Sequence, residues 1–376
     1  MSVRVLSRLV GLVWLCLHAG GVAGAIERVT VDPAPLQLEE PQRFGTDPTK
    51  AWMPKSAIDA PRAPTYVVRA DAGDDEPLPA FELVPGTWML FGNIAEVDPN
   101  NRGFNGNAGF VVTEEGVVVI DALGTPKLGW RLIATIRSKT DKPIRWLIVT
   151  HAHPDHFYGA VAFADLPGVH IVAHEGTEGY VRSERIERSV AYRKAFIPED
   201  MGADARGRFQ AVIPDLLLGG PRYGWLELRV GEETFRIYNT GTHHSHGDLV
   251  IHQKRANIAW VSDLAFNGRV TFMGDGHTRE MLENLDWLTR ELGDVRLMVP
   301  GHGGAQRPPF PMVAKTRAYI EALRAKMAAA IEDDLDLQEA VDQADLPEWR
   351  DVPLYELNHR LNANFVYREL EQELFE

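Results

Sequence analysis

Four residues able to bind a metal ion or move a proton, His151, His153, Asp155 and His156, fall within six positions in the stretch THAHPDHF. They are too close together for a helical pair four residues apart and too irregular for one face of a strand, so a loop must turn them inward. Three more residues of the same kind each follow an apolar run: His244 follows FRIYN within TGTHHSHGDLVI, Asp263 follows IAWVS, and His302 follows VRLMVP. Donors gathered at the ends of several strands, far apart in sequence, are what a pocket on one edge of a sheet requires. A lone histidine is ordinarily a surface or core residue. A clustered quartet with three further donors at strand ends is not accounted for in that way.

The elements that must position these donors can be read from the apolar pattern. Ile144 to Val149 is apolar and largely β-branched or aliphatic, which suits a strand buried on both faces, and the helix-compatible FYGAVAFA follows the loop. Upstream, GTWMLFG, AGFVVT and GVVVIDA read as short strands, the last two joined through Glu114-Glu115-Gly116 as a tight hairpin, and RLIATIRSK has helical spacing. A second β-rich stretch runs from LELRVGEETFRIYN through GDLVIHQ to IAWVS, with a helix over 279 to 292 to cover it. After His302 the pattern predicts a helix over TRAYIEALRAKMAAAIEDD, a turn at Leu346-Pro347 and a last helix through LNHRLNANFVYRELEQELF. The expected organisation is a leader over 1–25, a proline-rich arm or linker over 26–80, a catalytic domain over 81–305 and a helical extension over 306–376.

The leader carries Arg4 and Arg8, an apolar stretch LVGLVWLCL and small residues ending Ala23-Gly24-Ala25, the pattern of a secretory signal cleaved after Ala25. A periplasmic or secreted location follows as an expectation. No other stretch approaches the roughly 20 apolar residues of a membrane span. The one cysteine, Cys16, lies in the leader, so the mature chain has no thiol for catalysis or zinc-thiolate binding. Losing Arg4 and Arg8 takes the basic count from 39 to 37 against 53 acidic residues, a net charge of −16. Such a charge repels phosphate backbones and argues for a small-molecule substrate rather than nucleic acid. The arm holds Pro33, Pro35, Pro41, Pro48, Pro54, Pro61, Pro64, Pro77 and Pro79, and its Trp52 and Tyr66 need a surface to cover them, either the catalytic domain or a periplasmic protein partner.

The HxHxDH run, with His244, Asp263 and His302 in that order, resembles the signature of the metallo-β-lactamase superfamily. The resemblance implies an α/β fold of αββα layers. It also implies two zinc ions, iron or manganese being other occupants, with His151, His153 and His244 on one, Asp155, His156 and His302 on the second, and Asp263 bridging them. A metal-bridged hydroxide would then hydrolyse an ester, thioester, lactone or amide, with Asp155 orienting it or shuttling its proton. Asp121 would support the loop without binding metal, and Asp248 would hold the His244 loop by accepting backbone N–H bonds. His243 and His246 flank the ligand and are read as surface residues or substrate contacts, while His170, His174 and His252 are read as structural. Asn105, Asn107, Phe104, Phe157 and Tyr158 stand on loops able to line the pocket mouth. Histidine at 153 disfavours a flavodiiron oxygen reductase, and Asp263 stands where the best-known secreted β-lactamases carry cysteine. The phrases NRGFNGNAGFVV, VVVIDALGTP, SDLAFNGRV, VPGHGG and NANFVYRELE are most similar to the exported SoxH-like, or quinoprotein relay, branch. The competing readings are a β-lactamase, a mono-iron persulfide dioxygenase and a non-catalytic accessory protein of a periplasmic quinoprotein or sulfur-oxidation system.

Overall fold

The computed structural model describes residues 25–36 and 44–375; the leader expected over 1–25 lies outside them save for Ala25. A seven-stranded sheet contains β2 (Phe81–Val84), β3 (Thr87–Leu90), β4 (Ala108–Val112), β5 (Val117–Ile120), β6 (Ile144–Ile148), β7 (His170–His174) and β9 (Leu216–Leu218), side by side in that order. Pairing is antiparallel from β2 to β5 and parallel from β5 to β9. A five-stranded sheet runs β10 (Trp225–Val230), β11 (Glu233–Gly241), β12 (Asp248–Gln253), β13 (Ile258–Ser262) and β14 (Leu297–Pro300), antiparallel except for the last pair. The third, smaller sheet pairs β1 (Arg28–Val31) with β8 (Phe209–Val212).

The continuous apolar strands are explained by two cores, one on each face. Along β5, Val118 and Ile120 face the space between the sheets while Val117 and Val119 face outward. In β13 the same alternation sends Ile258 and Trp260 inward and Ala259 and Val261 outward. Strands covered on both sides have no polar face to show, so the sequence reads as an unbroken run. Helix α1 (Pro126–Arg137) covers the larger sheet with Leu128, Leu132 and Ile136; it starts at Thr125, whose side chain accepts from the Leu128 N–H, with Pro126 in the first turn. On the same flank lie the short α2 (Pro154–Phe157) and α3 (Gly176–Val181), followed by α4 (Glu184–Phe196). Helix α5 (Thr278–Leu292) covers the smaller sheet with Met281, Leu285, Leu288 and Leu292, joined by α6 (Pro311–Glu332), α7 (Leu337–Asp342) and α8 (Tyr355–Glu373). The fold is therefore α/β, with sheets stacked between helical layers.

One element differs from the sequence expectation. FYGAVAFA does not form an α-helix: α2 ends at Phe157 and Tyr158–Ala162 is a 3-10 turn. Gly159 packs so closely on the Ala122 carbonyl and on Gly129 of α1 that a Cβ there would lie 1.9 Å from the oxygen, and this close approach fixes the tighter turn. Residues 26–80 contribute β1, which pairs in sequence-distant register with β8, and bridges from Trp52 to Thr65 and from Ile58 to Ala305. Tyr66 packs edge-on against Phe104, 6.1 Å between centroids, and Arg62 lies over the Trp52 ring.

Helix α8 grips the loop between β13 and α5. Asn358 donates to the Val270 carbonyl, Asn362 donates to Thr271 and accepts from the Met273 N–H, and Glu369 accepts from the N–H groups of Thr278 and Arg279. Among the described residues no helix is long and apolar enough to cross a membrane.

Candidate metal centre

All seven donors singled out in the sequence converge where the C-terminal ends of β5 and β6 face those of β13 and β14. Three overlapping groups have donor atoms within 4.8 Å of one another: His151 with His153 and His244, His151 with His156 and Asp263, and Asp155 with His156 and His302. The three imidazoles of the first group have ring centroids 4.7, 5.0 and 4.6 Å apart. In the third, His302 Nε2 lies 3.3 Å from Asp155 Oδ2 and from His156 Nε2, and it is also 3.3 Å from Asp263 Oδ2. Asp263 also reaches His244 Nε2 at 3.3 Å and His156 Nε2 at 3.7 Å, which places it between the first and third groups.

Local backbone geometry aims these side chains. Asp121 and Ser262, at the ends of β5 and β13, both adopt positive φ (60° and 48°), a conformation that costs non-glycine residues energy and turns each chain sharply at the sheet edge. His153 caps α2 and Pro154 occupies its first position, so Asp155 and His156 follow within one turn. Asp248 Oδ2 accepts from the N–H groups of His244 and Ser245, at 2.9 and 3.0 Å, and fixes the β11–β12 connection. Asp121 takes three hydrogen bonds: Thr150 N–H at 2.8 Å, Thr150 Oγ1 at 2.9 Å and His156 Nδ1 at 2.9 Å. His151 Nδ1 lies 3.1 Å from Thr150 Oγ1 and 3.2 Å from Ser262 Oγ, and His302 Nδ1 donates to the Asn105 carbonyl at 2.8 Å.

Burial works to raise the Asp263 carboxyl, yet the adjoining His302 and His244 outweigh it and hold the group well below the carboxylate range. Asp155 is likewise lowered, against burial, by His156 and His302. Burial, reinforced by the neighbouring imidazoles of His156, His153 and His244, keeps His151 neutral well below its ordinary value. For His156 burial acts downward, but Asp155, Asp121 and Asp263 prevail and lift it to about 9. Shifts in opposite directions, each with a named charge partner in one buried cluster, make these residues a functional-site candidate.

The donor set fits metal ions. His151 Nε2, both His244 nitrogens and Asp263 Oδ1 are buried and have no hydrogen-bond partner among the described residues, an arrangement that costs energy unless a cation satisfies it. Imidazole and carboxylate donors without sulfur suit zinc and tolerate iron or manganese.

Sequence reasoning passed over two residues here. Arg269 lies 3.3 Å from Asp263 Oδ2, and Asp275 Oδ2 lies 3.3 Å from His153 Nε2. Both belong to the irregular loop after β13, where no periodicity signals an inward side chain. Of the flanking histidines, His243 is buried with Nε2 3.2 Å from Thr240 Oγ1, and His246 contacts Arg185 at the rim; neither falls in a donor group. Among the loop residues, Asn107 is spent on backbone contacts to Pro300 and Gly303, and Tyr158 on the Tyr180 hydroxyl.

Fold and donor geometry together define a class, and the sequence model of that class agrees. The chain belongs to the metallo-beta-lactamase superfamily, whose model matches residues 101–312. A type 2 metallo-beta-lactamase of Bacillus sp. (strain 170) is 23% identical over 208 residues, 53% of this chain and 69% of that one. Among solved structures, a stereoselective inverting sec-alkylsulfatase from Pseudomonas sp. superposes with a TM-score of 0.58 at 18% identity, over 77% of this chain, which spans 50% of that one. A metallo-beta-lactamase from Hirschia baltica gives 0.47 at 20% identity, over 65% of this chain and 98% of that one.

Proposed function

We propose that the protein is an exported two-zinc hydrolase of small molecules, cleaving an ester, thioester, lactone or amide. The observation that carries this reading is the convergence on Asp263 of two donor groups, His151 with His153 and His244 and Asp155 with His156 and His302, in a buried cluster that holds partnerless nitrogen and oxygen atoms. His151, His153 and His244 would hold one ion, Asp155, His156 and His302 the other, with Asp263 between them. When bound, such ions supply a hydroxide nucleophile at neutral pH and Lewis-acid polarisation of the scissile bond. Asp155, whose side chain is 14% exposed, is ionised at neutral pH and so is able to take a proton on Oδ2 and return it to the leaving group. Arg269 pairs with Asp263 Oδ2, the oxygen that His244 and His302 also approach, and helps to hold that carboxylate in place.

The completeness of both donor groups favours this over a mono-iron dioxygenase, which leaves His156 and His302 without a task, and over a binding module, which needs none of the seven. Export is supported by the basic, apolar and small-residue order of the leader, and membership of the quinoprotein relay branch by the phrases quoted above. The test is elemental analysis and a hydrolysis screen of the mature chain over carboxylic esters, thioesters, lactones, amides, β-lactams and sec-alkyl sulfates. About two zinc per chain and turnover that His151→Ala abolishes and His246→Ala spares are expected. One iron with oxygen consumption, or no turnover on any of these classes, refutes the reading.

A further inference from the structure

Three of the candidate histidines are held from behind in the same way. His151, His156 and His302 each engage a hydrogen-bond partner through Nδ1, which leaves Nε2 for the cluster. His153 is reversed. Its Nε2 is the held nitrogen, 3.3 Å from Asp275 Oδ2, so Nδ1 is the nitrogen left to face His151 and His244. The need for such a partner is greatest at this histidine. His153 precedes α2 in a loop, makes no capping hydrogen bond with its side chain, and is the most exposed of the histidines in the cluster at 18%.

Asp275 is itself immobilised. Arg185 Nη1 of α4 donates to its Oδ1 at 3.3 Å. On either side of it in the chain, the Met273 N–H donates to Asn362 Oδ1 of α8 at 2.9 Å, and the His277 N–H to the His243 carbonyl at 3.1 Å. Gly276 passes so close to that carbonyl that a Cβ would lie 2.1 Å away, so the loop has no room to shift toward the β11–β12 turn. A carboxylate held by Arg185, on a loop tied down at Met273 and His277, and aimed at one imidazole nitrogen sets both the rotation of that ring and the position of its proton.

We infer that Asp275 is a positioning residue of the first metal site: it keeps the proton of His153 on Nε2 and presents the Nδ1 lone pair to the ion. This rests on the two-metal reading proposed above. Removing the carboxylate frees the ring to rotate and lets the proton move to Nδ1, where it blocks ligation. Outer partners of ligating histidines are generally worth roughly 10–100-fold in metal affinity.

The experiment is a zinc titration of the full mature chain against a chromophoric chelator, for wild type, Asp275→Ala, Asp275→Asn and Asp275→Glu, with ring nitrogen NMR shifts recorded on the zinc-loaded protein. In Asp275→Ala the dissociation constant of the site formed by His151, His153 and His244 is expected to rise about 10–100-fold, with the other site unchanged. Asp275→Glu is expected to recover part of the loss, and Asp275→Asn less, since its amide oxygen accepts the proton without the charge. In wild type the NMR shifts should place the proton on Nε2 of His153 and on Nδ1 of His151, His156 and His302. Unchanged affinity for both equivalents in Asp275→Ala overturns the inference, as does a His153 proton on Nδ1. So does an equal loss at both sites with a lower Tm of the metal-free protein, the mark of a merely structural role. Should wild type itself take up no zinc, the two-metal reading falls first, an outcome the variants cannot imitate.

Discussion

Asp121→Asn isolates what one buried carboxylate does for a site it does not enter. Asp121 accepts from two fixed donors, the Thr150 N–H and His156 Nδ1, and from the rotatable Thr150 hydroxyl. An asparagine offers one accepting oxygen and one NH2 donor. The oxygen must stay with the Thr150 N–H, which cannot turn, so the NH2 falls where Oδ2 stood, facing His156 Nδ1. Two donors cannot face each other, and the imidazole responds by moving its proton to Nε2, the nitrogen directed at His302 and Asp263. That tautomer cannot ligate. The same logic makes an aspartate-to-asparagine change behind a catalytic histidine far more costly than its shape suggests. A loss of about 10–100-fold in affinity, or about 1.4–2.7 kcal/mol, is expected for the His156 site. The first site, whose histidines keep their partners, should be unaffected. Asp121→Ala differs, since it strands three buried donors at about 1–3 kcal/mol each and should lower the Tm of the metal-free chain as well. Chelator competition resolves the two zinc equivalents. If Asp121→Asn binds both with wild-type affinity, the tautomer argument is wrong.

Three further outcomes are expected. In metal-free protein His156 is lifted to about 9 against 6.5 when unfolded, so its contribution is complete below pH 6.5 and is lost as pH rises toward 9; the Tm of chelated protein should fall across that window, more steeply than in Asp121→Asn, and a flat profile contradicts the assignment. Gly109→Ala should destabilise by about 1–3 kcal/mol, because its Cβ would lie 2.2 Å from Trp260 Cη2 in the core between the sheets; Trp260→Phe in the same chain should restore part of this, and equal Tm values for Gly109→Ala and wild type refute the packing. Asp263→Asn should retain roughly one zinc on the three-histidine group and lose the second, because an anion between the two groups disappears; two equivalents at wild-type affinity in a zinc titration exclude a bridging role.

Much of the fold was legible because its signals are local. The apolar runs ending at Asp121, Thr150, Ser262 and Pro300 mark strands whatever they pair with, and the last three lead within two residues to the donors His151, Asp263 and His302 because the sheet edge is where a chain can turn inward. Asp275 and Arg269 escaped notice for the opposite reason. They sit in a loop without period, and their roles depend on α4, α8 and β13 arriving from elsewhere in the chain. The pairing of β1 with β8 could not be read either, since RVTV is four residues long and its partner lies about 180 positions away. FYGAVAFA misled because helix propensity is a weak prior and the close approach of Gly159 to Ala122 overrides it.

The grip of α8 on the loop after β13 has a consequence for how the chain comes into being. Donors are spread from position 151 to 302, and the loop carrying Asp275 is held by residues 358 to 369. During synthesis His151, His153 and His156 therefore emerge long before the parts of the chain that complete and secure their site. An ion met at that stage finds only a fragment of the donor set, and a site that forms with the fold binds only as tightly as the fold permits. On the two-metal reading proposed above, tight metal binding follows the packing of α8 on that loop, and removing α8 is expected to lower metal retention.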